Sequence, residues 1–150
     1  MATTKYNGKS IQELAGYTDS IRITHADLTA SATSETITKT VKAGQQVRGV
    51  AFKVHTAFDG GSTSALKLDV GDGDDADGYI DNEEIHVDAT EVLFGPALDG
   101  VLTGKTYAAD DTIDILFSAT GANVSVLDAG EVEIFFNIIS LNDVSADFAG

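Results

Sequence analysis

The sequence predicts an all-β fold, a two-sheet β-sandwich or jelly-roll-like domain of about eight strands, and three observations predict it. Apolar and polar residues alternate in short runs. β-Branched and aromatic residues concentrate in those runs. Turn clusters rich in glycine separate them. No stretch holds a helical period, which disfavours an α/β fold with crossover helices. A chain of 150 residues, 43% hydrophobic and 22% charged, suits one globular domain with a core of its own.

Residues 1–9 are polar and read as an arm. Ser10-Ile11-Gln12-Glu13 has the S-x-x-E form of a capping box, which predicts a short helical turn ending near Gly16. From Ser20 the period becomes two. Ile21 and Ile23 alternate with Arg22 and Thr24, and Thr36 to Val41 is rich in threonine and β-branched residues. Val50, Phe52 and Val54 share one face, as do Leu66, Leu68 and Val70. Ile85 and Val87 are expected to alternate with His86 and Asp88, and Glu91 to Phe94 to form a short strand. Ile113, Ile115 and Phe117 share a face, and Val124 and Val126 repeat the pattern. Turns are expected at Ala43-Gly44, Asp59-Gly60-Gly61, Asp99-Gly100, Thr120-Gly121-Ala122-Asn123 and Asp128-Ala129-Gly130. The organisation is then an arm with a helical turn over 1–19, a β-sandwich over 20–142 and a tail over 143–150.

Glu131 to Leu141 departs from simple alternation. Val132, Ile134, Phe136 and Ile138 fill one face, while Phe135, Ile139 and Leu141 put apolar groups on the other. A strand apolar on both faces is central to the fold, lies in a subunit seam, or does both.

The net charge is −15, from 24 acidic and 9 basic residues, and it repels phosphate backbones and anionic membranes. Neither nucleic acid nor membrane is an expected partner. Cysteine is absent, which excludes a disulfide framework and a thiolate nucleophile. No apolar run reaches the roughly 20 residues of a bilayer span. The first residues carry no signal-peptide core, so synthesis as a mature cytosolic chain is expected.

The stretch that draws attention is Gly71 to Glu84, a loop crowded with carboxylates between two strand-like runs. Asp75, Asp77, Gly78, Ile80, Asp81 and Glu84 match the third, fifth, sixth, eighth, ninth and twelfth positions of an EF-hand calcium loop. Gly73 stands where the first ligand should be, and the flanks read as strands, so an EF-hand is not expected. Two readings stand: a solvated acidic hairpin, or a looser calcium site held by Asp75, Asp77, Asp81 and Glu84 with the Tyr79 carbonyl in support. Lys67 is the one basic residue nearby in sequence, so no local ion pairs are expected to neutralise the cluster.

Other chemistry is thin. Asp99 to Thr106 ends like a phosphate loop, but its glycines are spaced one residue short and a strand follows. His25, His55 and His86 fall on different predicted strands or strand ends with no common spacing. No G-x-S-x-G elbow occurs. No catalytic set emerges, and the chain is not expected to be an enzyme.

The run Val47 to Ile80, VRGVAFKVHTAFDGGSTSALKLDVGDGDDADGYI, resembles small structural proteins of tailed bacteriophage virions. In those a V-x-x-V-x-F-x-V strand leads through a Gly/Ser turn to an L-x-L-x-V-G-D strand and an acidic D-x-D-x-x-I turn. Val92-Leu93-Phe94 and the run Ala129 to Phe135 are also similar, so the resemblance covers most of residues 20–141. It implies a capsid decoration (cement) protein on the outer surface of the phage head. It also implies the major capsid protein as partner, and a homo-oligomer with a trimer favoured over a dimer. A calcium-dependent glycan- or receptor-binding sandwich of a virion fibre or cell surface is the alternative. No residue of a capsid-binding motif carries over.

Overall fold

In the computed structural model of the chain the described residues are 16–87 and 102–143, with the backbone of three short strands, Lys5–Tyr6 (β1), Lys9–Ser10 (β2) and Phe94–Pro96 (β8). The other strands are Asp19–Thr24 (β3), Ser34–Val41 (β4), Gln45–Asp59 (β5), Ala65–Gly71 (β6), Ile80–Glu84 (β7), Lys105–Thr106 (β9), Asp111–Thr120 (β10) and Ala129–Ser140 (β11). One sheet runs β4-β10-β6-β7. The other runs β3-β11-β5-β8, with β9 also on β5. Every strand pairing is antiparallel. The molecule is a two-sheet β-sandwich.

The alternation in the sequence builds the core. Val50, Phe52 and Val54 of β5 and Val132, Ile134 and Phe136 of β11 point inward from one sheet. Leu66, Leu68 and Val70 of β6 and Ile113, Ile115 and Phe117 of β10 meet them from the other. All are buried, and the rings of Phe58 and Phe117 lie 6.1 Å apart across the sandwich. Each such side chain taken from water contributes roughly 1.5–3 kcal/mol, and this is the dominant favourable term. Gly130 sits at the start of β11 with φ +137°, and a Cβ there would fall 2.2 Å from the Phe58 ring. Only glycine both adopts that backbone and lets the ring lie against it.

β11 is interior to its sheet, bonded to β3 on one side and β5 on the other. Its second apolar face is partly covered by the chain itself. The Tyr17 ring lies 5.8 Å from Phe135, and the Thr18 amide donates to the Phe136 carbonyl at 2.8 Å. Residues 17 and 18 thus belong to the sandwich, ahead of the expected boundary at residue 20.

Ser10 pairs with Lys5 between β1 and β2, and the helical turn expected after it falls on residues 11–15, which lie outside the described residues. Two expectations change. Val124–Val126 is a 3₁₀ turn, because the Val124 amide bonds to the Ala32 carbonyl and the Leu127 amide closes back on Val124. Residues 85–87 do not continue β7. The Ile85 amide bonds to the Leu66 carbonyl in one sheet, while the Phe58 amide in the other donates to the Ile85 carbonyl and the Val87 amide donates to the Phe58 carbonyl, a parallel bridge between Phe58 and His86. The chain crosses between the sheets there, so His86 is buried and Val87 is exposed. The strand expected from Glu91 is described only at Phe94, and the Asp99-Gly100 turn and the tail from 144 lie outside the described residues.

Candidate cation-binding loop

The loop between β6 and β7 starts from a constraint at Gly71. A Cβ there would lie 2.0 Å from the Asp75 carbonyl oxygen, so the loop folds back onto bare backbone. Asp72 then turns inward. Its Oδ1 accepts the amides of Asp74 and Asp75 at 2.9 and 3.1 Å, and its own amide donates to the Asp75 carbonyl at 2.9 Å. Its Oδ2 accepts the Lys105 ammonium at 2.7 Å and the Tyr107 hydroxyl at 2.8 Å. The Tyr107 and Tyr79 hydroxyls are 2.9 Å apart, and both rings are buried. Lys105 also reaches Asp74 at 3.0 Å and sits 4.8 Å from the Tyr107 ring centroid.

The electrostatics follow from this geometry. Asp72 is 2% exposed, and burial alone would push its carboxyl up. The donors from Lys105, Tyr107 and the Asp74 and Asp75 amides outweigh burial and hold it below the usual carboxylate range. Lys105 is held further into its charged form by its hydrogen bonds to Asp72 and Asp74. Burial, then the hydrogen bonds with Tyr79 and Asp72, push the Tyr107 hydroxyl up strongly, so it stays a donor. A buried carboxylate is tolerable only when its lone pairs are filled in this way.

A second carboxylate group forms on the outer side. β6 and β7 pair Leu68 with Glu83 and Val70 with Ile80, so Asp69 stands opposite two residues, Asp81 and Asn82. Asn82 takes φ +56°, and its amide donates to Asp69 Oδ1 at 2.6 Å. This bulge brings one carboxylate oxygen each of Asp69, Asp77 and Asp81 within 4.8 Å of one another. Oxygens on opposite sides of one calcium ion, each about 2.4 Å from it, span that distance. Burial raises the Asp69 carboxyl, the charges of Asp77 and Asp81 add to the rise, and the Asn82 amide offsets part of it. A hydrogen bond shared with Asp77 raises Asp75.

The quartet expected from sequence is therefore redistributed. Asp77 and Asp81 stand together, Asp75 sits against Asp77, and Asp69 completes the group. Glu84 is engaged elsewhere, with Oε1 accepting the Leu66 and His86 amides at 2.8 and 3.1 Å and Oε2 at 3.5 Å from Lys67. Partial neutralisation comes from outside the sequence neighbourhood, through Lys105, 33 residues from Asp72. Asp69 could have been found from its place on the polar face between Leu68 and Val70. Lys105 and Tyr107 had no local signal.

The histidines stay apart. His55 lies 2.9 Å from Glu133, His86 lies 3.7 Å from Asp59, and His25 opens a 3₁₀ turn after β3. No helix among the described residues is long and apolar enough to cross a membrane. No protein-family model, no curated protein and no solved structure matches the chain.

Proposed function

We propose that the chain is a non-enzymatic virion structural protein, a decoration (cement) protein that binds the major capsid protein on the outer surface of a phage head and stabilises the shell. The observation that carries the reading is where the virion-like run lies. Val47 to Ile80 covers most of β5, all of β6 and the acidic turn entering β7. It supplies the span that joins one sheet to the other, so the resemblance falls on the scaffold of the sandwich. The short segment ahead of β3, docked on β11 through Tyr17 and Thr18, suits a module that clamps from an arm.

Co-sedimentation with heads lacking the chain tests this. Saturable binding to the heads supports it. Retention on a glycan array with no binding to heads overturns it and favours the second reading, a calcium-dependent glycan- or receptor-binding module. That second reading is supported by the grouping of Asp69, Asp77 and Asp81. It expects a melting temperature that rises with calcium relative to chelator, and loss of that rise in Asp77→Asn. Equal melting in calcium and chelator removes it.

A further inference from the structure

We infer that β4 is a self-pairing edge, through which two copies of this chain join their four-stranded sheets about a twofold axis centred on Ile37. This stands independently of the virion reading.

β4 ends its sheet, and β10 is its one strand partner among the described residues. Its free side can be derived. The Ala119 amide donates to the Thr33 carbonyl at 2.7 Å, and in the β10 register those residues are opposite each other. Antiparallel bonding alternates, so Glu35, Ile37, Lys39 and Val41 bond to β10. Ser34, Thr36, Thr38 and Thr40 direct their N–H and C=O groups away from it. The side chains of these four are exposed, while Val41 is buried and Glu35, Ile37 and Lys39 are half-buried. Along this eight-residue edge the outward backbone groups of Ser34, Thr36, Thr38 and Thr40 have no strand partner among the described residues, and such a row is a template for another strand.

The sequence selects which strand. In a twofold pair each residue must face one on the same side of the sheet. Centred on Ile37, SETITKT reads complementarily in both directions. Ser34 opposes the partner's Thr40, Glu35 the partner's Lys39, Thr36 the partner's Thr38, and Ile37 the partner's Ile37. The backbone groups that point outward are then those of the hydrogen-bonded pairs. Opposite charges and Thr–Thr pairs at directly opposed positions are the stabilising combinations. A register centred on Thr38 sets Ile37 against the partner's Lys39 and Glu35 against the partner's Val41, and it makes fewer ladder pairs.

The inner-face charges also explain selectivity. Glu35 accepts the Ala30 amide at 3.0 Å, and Lys39 pairs with Asp19 and lies over the Phe136 ring. Inward charges on an edge strand obstruct pairing with a foreign strand. Opposite a second copy each meets its complement, so the edge rejects other strands and admits its own kind. The symmetry selected is twofold, whereas the virion resemblance implies a trimer.

An interface one strand wide is small, so the test is mass across a concentration series of the full chain, by sedimentation or light scattering. The wild type is expected to rise from 15.6 kDa toward twice that value. Thr38→Pro removes an outward N–H without breaking a bond to β10, and it should stay at single-chain mass while melting as a folded protein. Glu35→Lys and Lys39→Glu should each lose the dimer alone. Mixed together they should recover it, because every 35–39 pair is again opposite in charge. A single-chain mass for wild type throughout, a three-chain mass, a dimer that survives Thr38→Pro, or a mixture that gains no mass would each overturn the proposal. Where a charge variant fails to fold, Thr38→Pro decides, and where the proline fails to fold, the mixture decides.

Discussion

Asp72 is a buried carboxylate held by four donors, namely two amides, a lysine and a tyrosine. Replacing it with alanine leaves both amides without their acceptor and reduces the Tyr107 hydroxyl and Lys105 to their contacts with Tyr79 and Asp74. Because Lys105 keeps partial access to water, the expected loss is about 2–4 kcal/mol in a urea unfolding curve, toward the lower end of a broken buried pair. Lys105→Met leaves the other three donors in place and should cost less. Acid titration gives a second expectation. Asp72 has a folded pKa below its ordinary 3.8, so its stabilisation is present above that value and is lost as pH falls through the folded pKa. Asp69 and Asp75 run the other way. Their folded pKa values are raised above 3.8, so their contribution is full below 3.8 and is lost as pH rises through the folded values. Relative to Asp69→Asn, the wild type should gain stability as pH is lowered toward 4. Relative to Asp72→Asn, it should lose stability below 3.8. Chemical denaturation at stepped pH reads both differences, and parallel profiles would contradict the assignment.

At the scale of elements, the tightest requirement is the crossing of Phe58 and Gly130. Gly130→Ala drives a methyl into the ring at a backbone angle that alanine resists, with an expected cost of about 2–4 kcal/mol in thermal unfolding. Phe58→Leu in the same chain should recover part of it, and strict additivity of the two losses would contradict the contact. Strands were legible where one face meets the core, as at Leu66, Leu68 and Val70 or Ile113, Ile115 and Phe117, because burial on one side writes itself as period two. Legibility failed where the backbone serves two partners. Residues 85–87 split their bonds between the sheets, and Val124 is drawn into a turn by Ala32. The acidic site was half legible for a related reason. The crowding of Asp75, Asp77 and Asp81 is local, but the bulge that adds Asp69 and the pairing that recruits Lys105 come from strand register, which local spacing does not encode.

For the whole molecule, a charge of −15 on a compact sandwich favours solubility and docking on a basic surface. The acidic loop is fixed from below by Asp72 and presents Asp69, Asp77 and Asp81 outward, while β4 offers a self-complementary edge in the same sheet. A sandwich with an acidic end and an edge for a second copy suits repeated attachment to a regular shell. Image reconstruction of heads prepared without the chain and then incubated with it in excess tests that claim most directly. Added density is expected at regular positions on the outer surface, each unit of a size for one or two sandwiches, with greater resistance of the heads to heat. An outer surface identical with and without the added chain would contradict it.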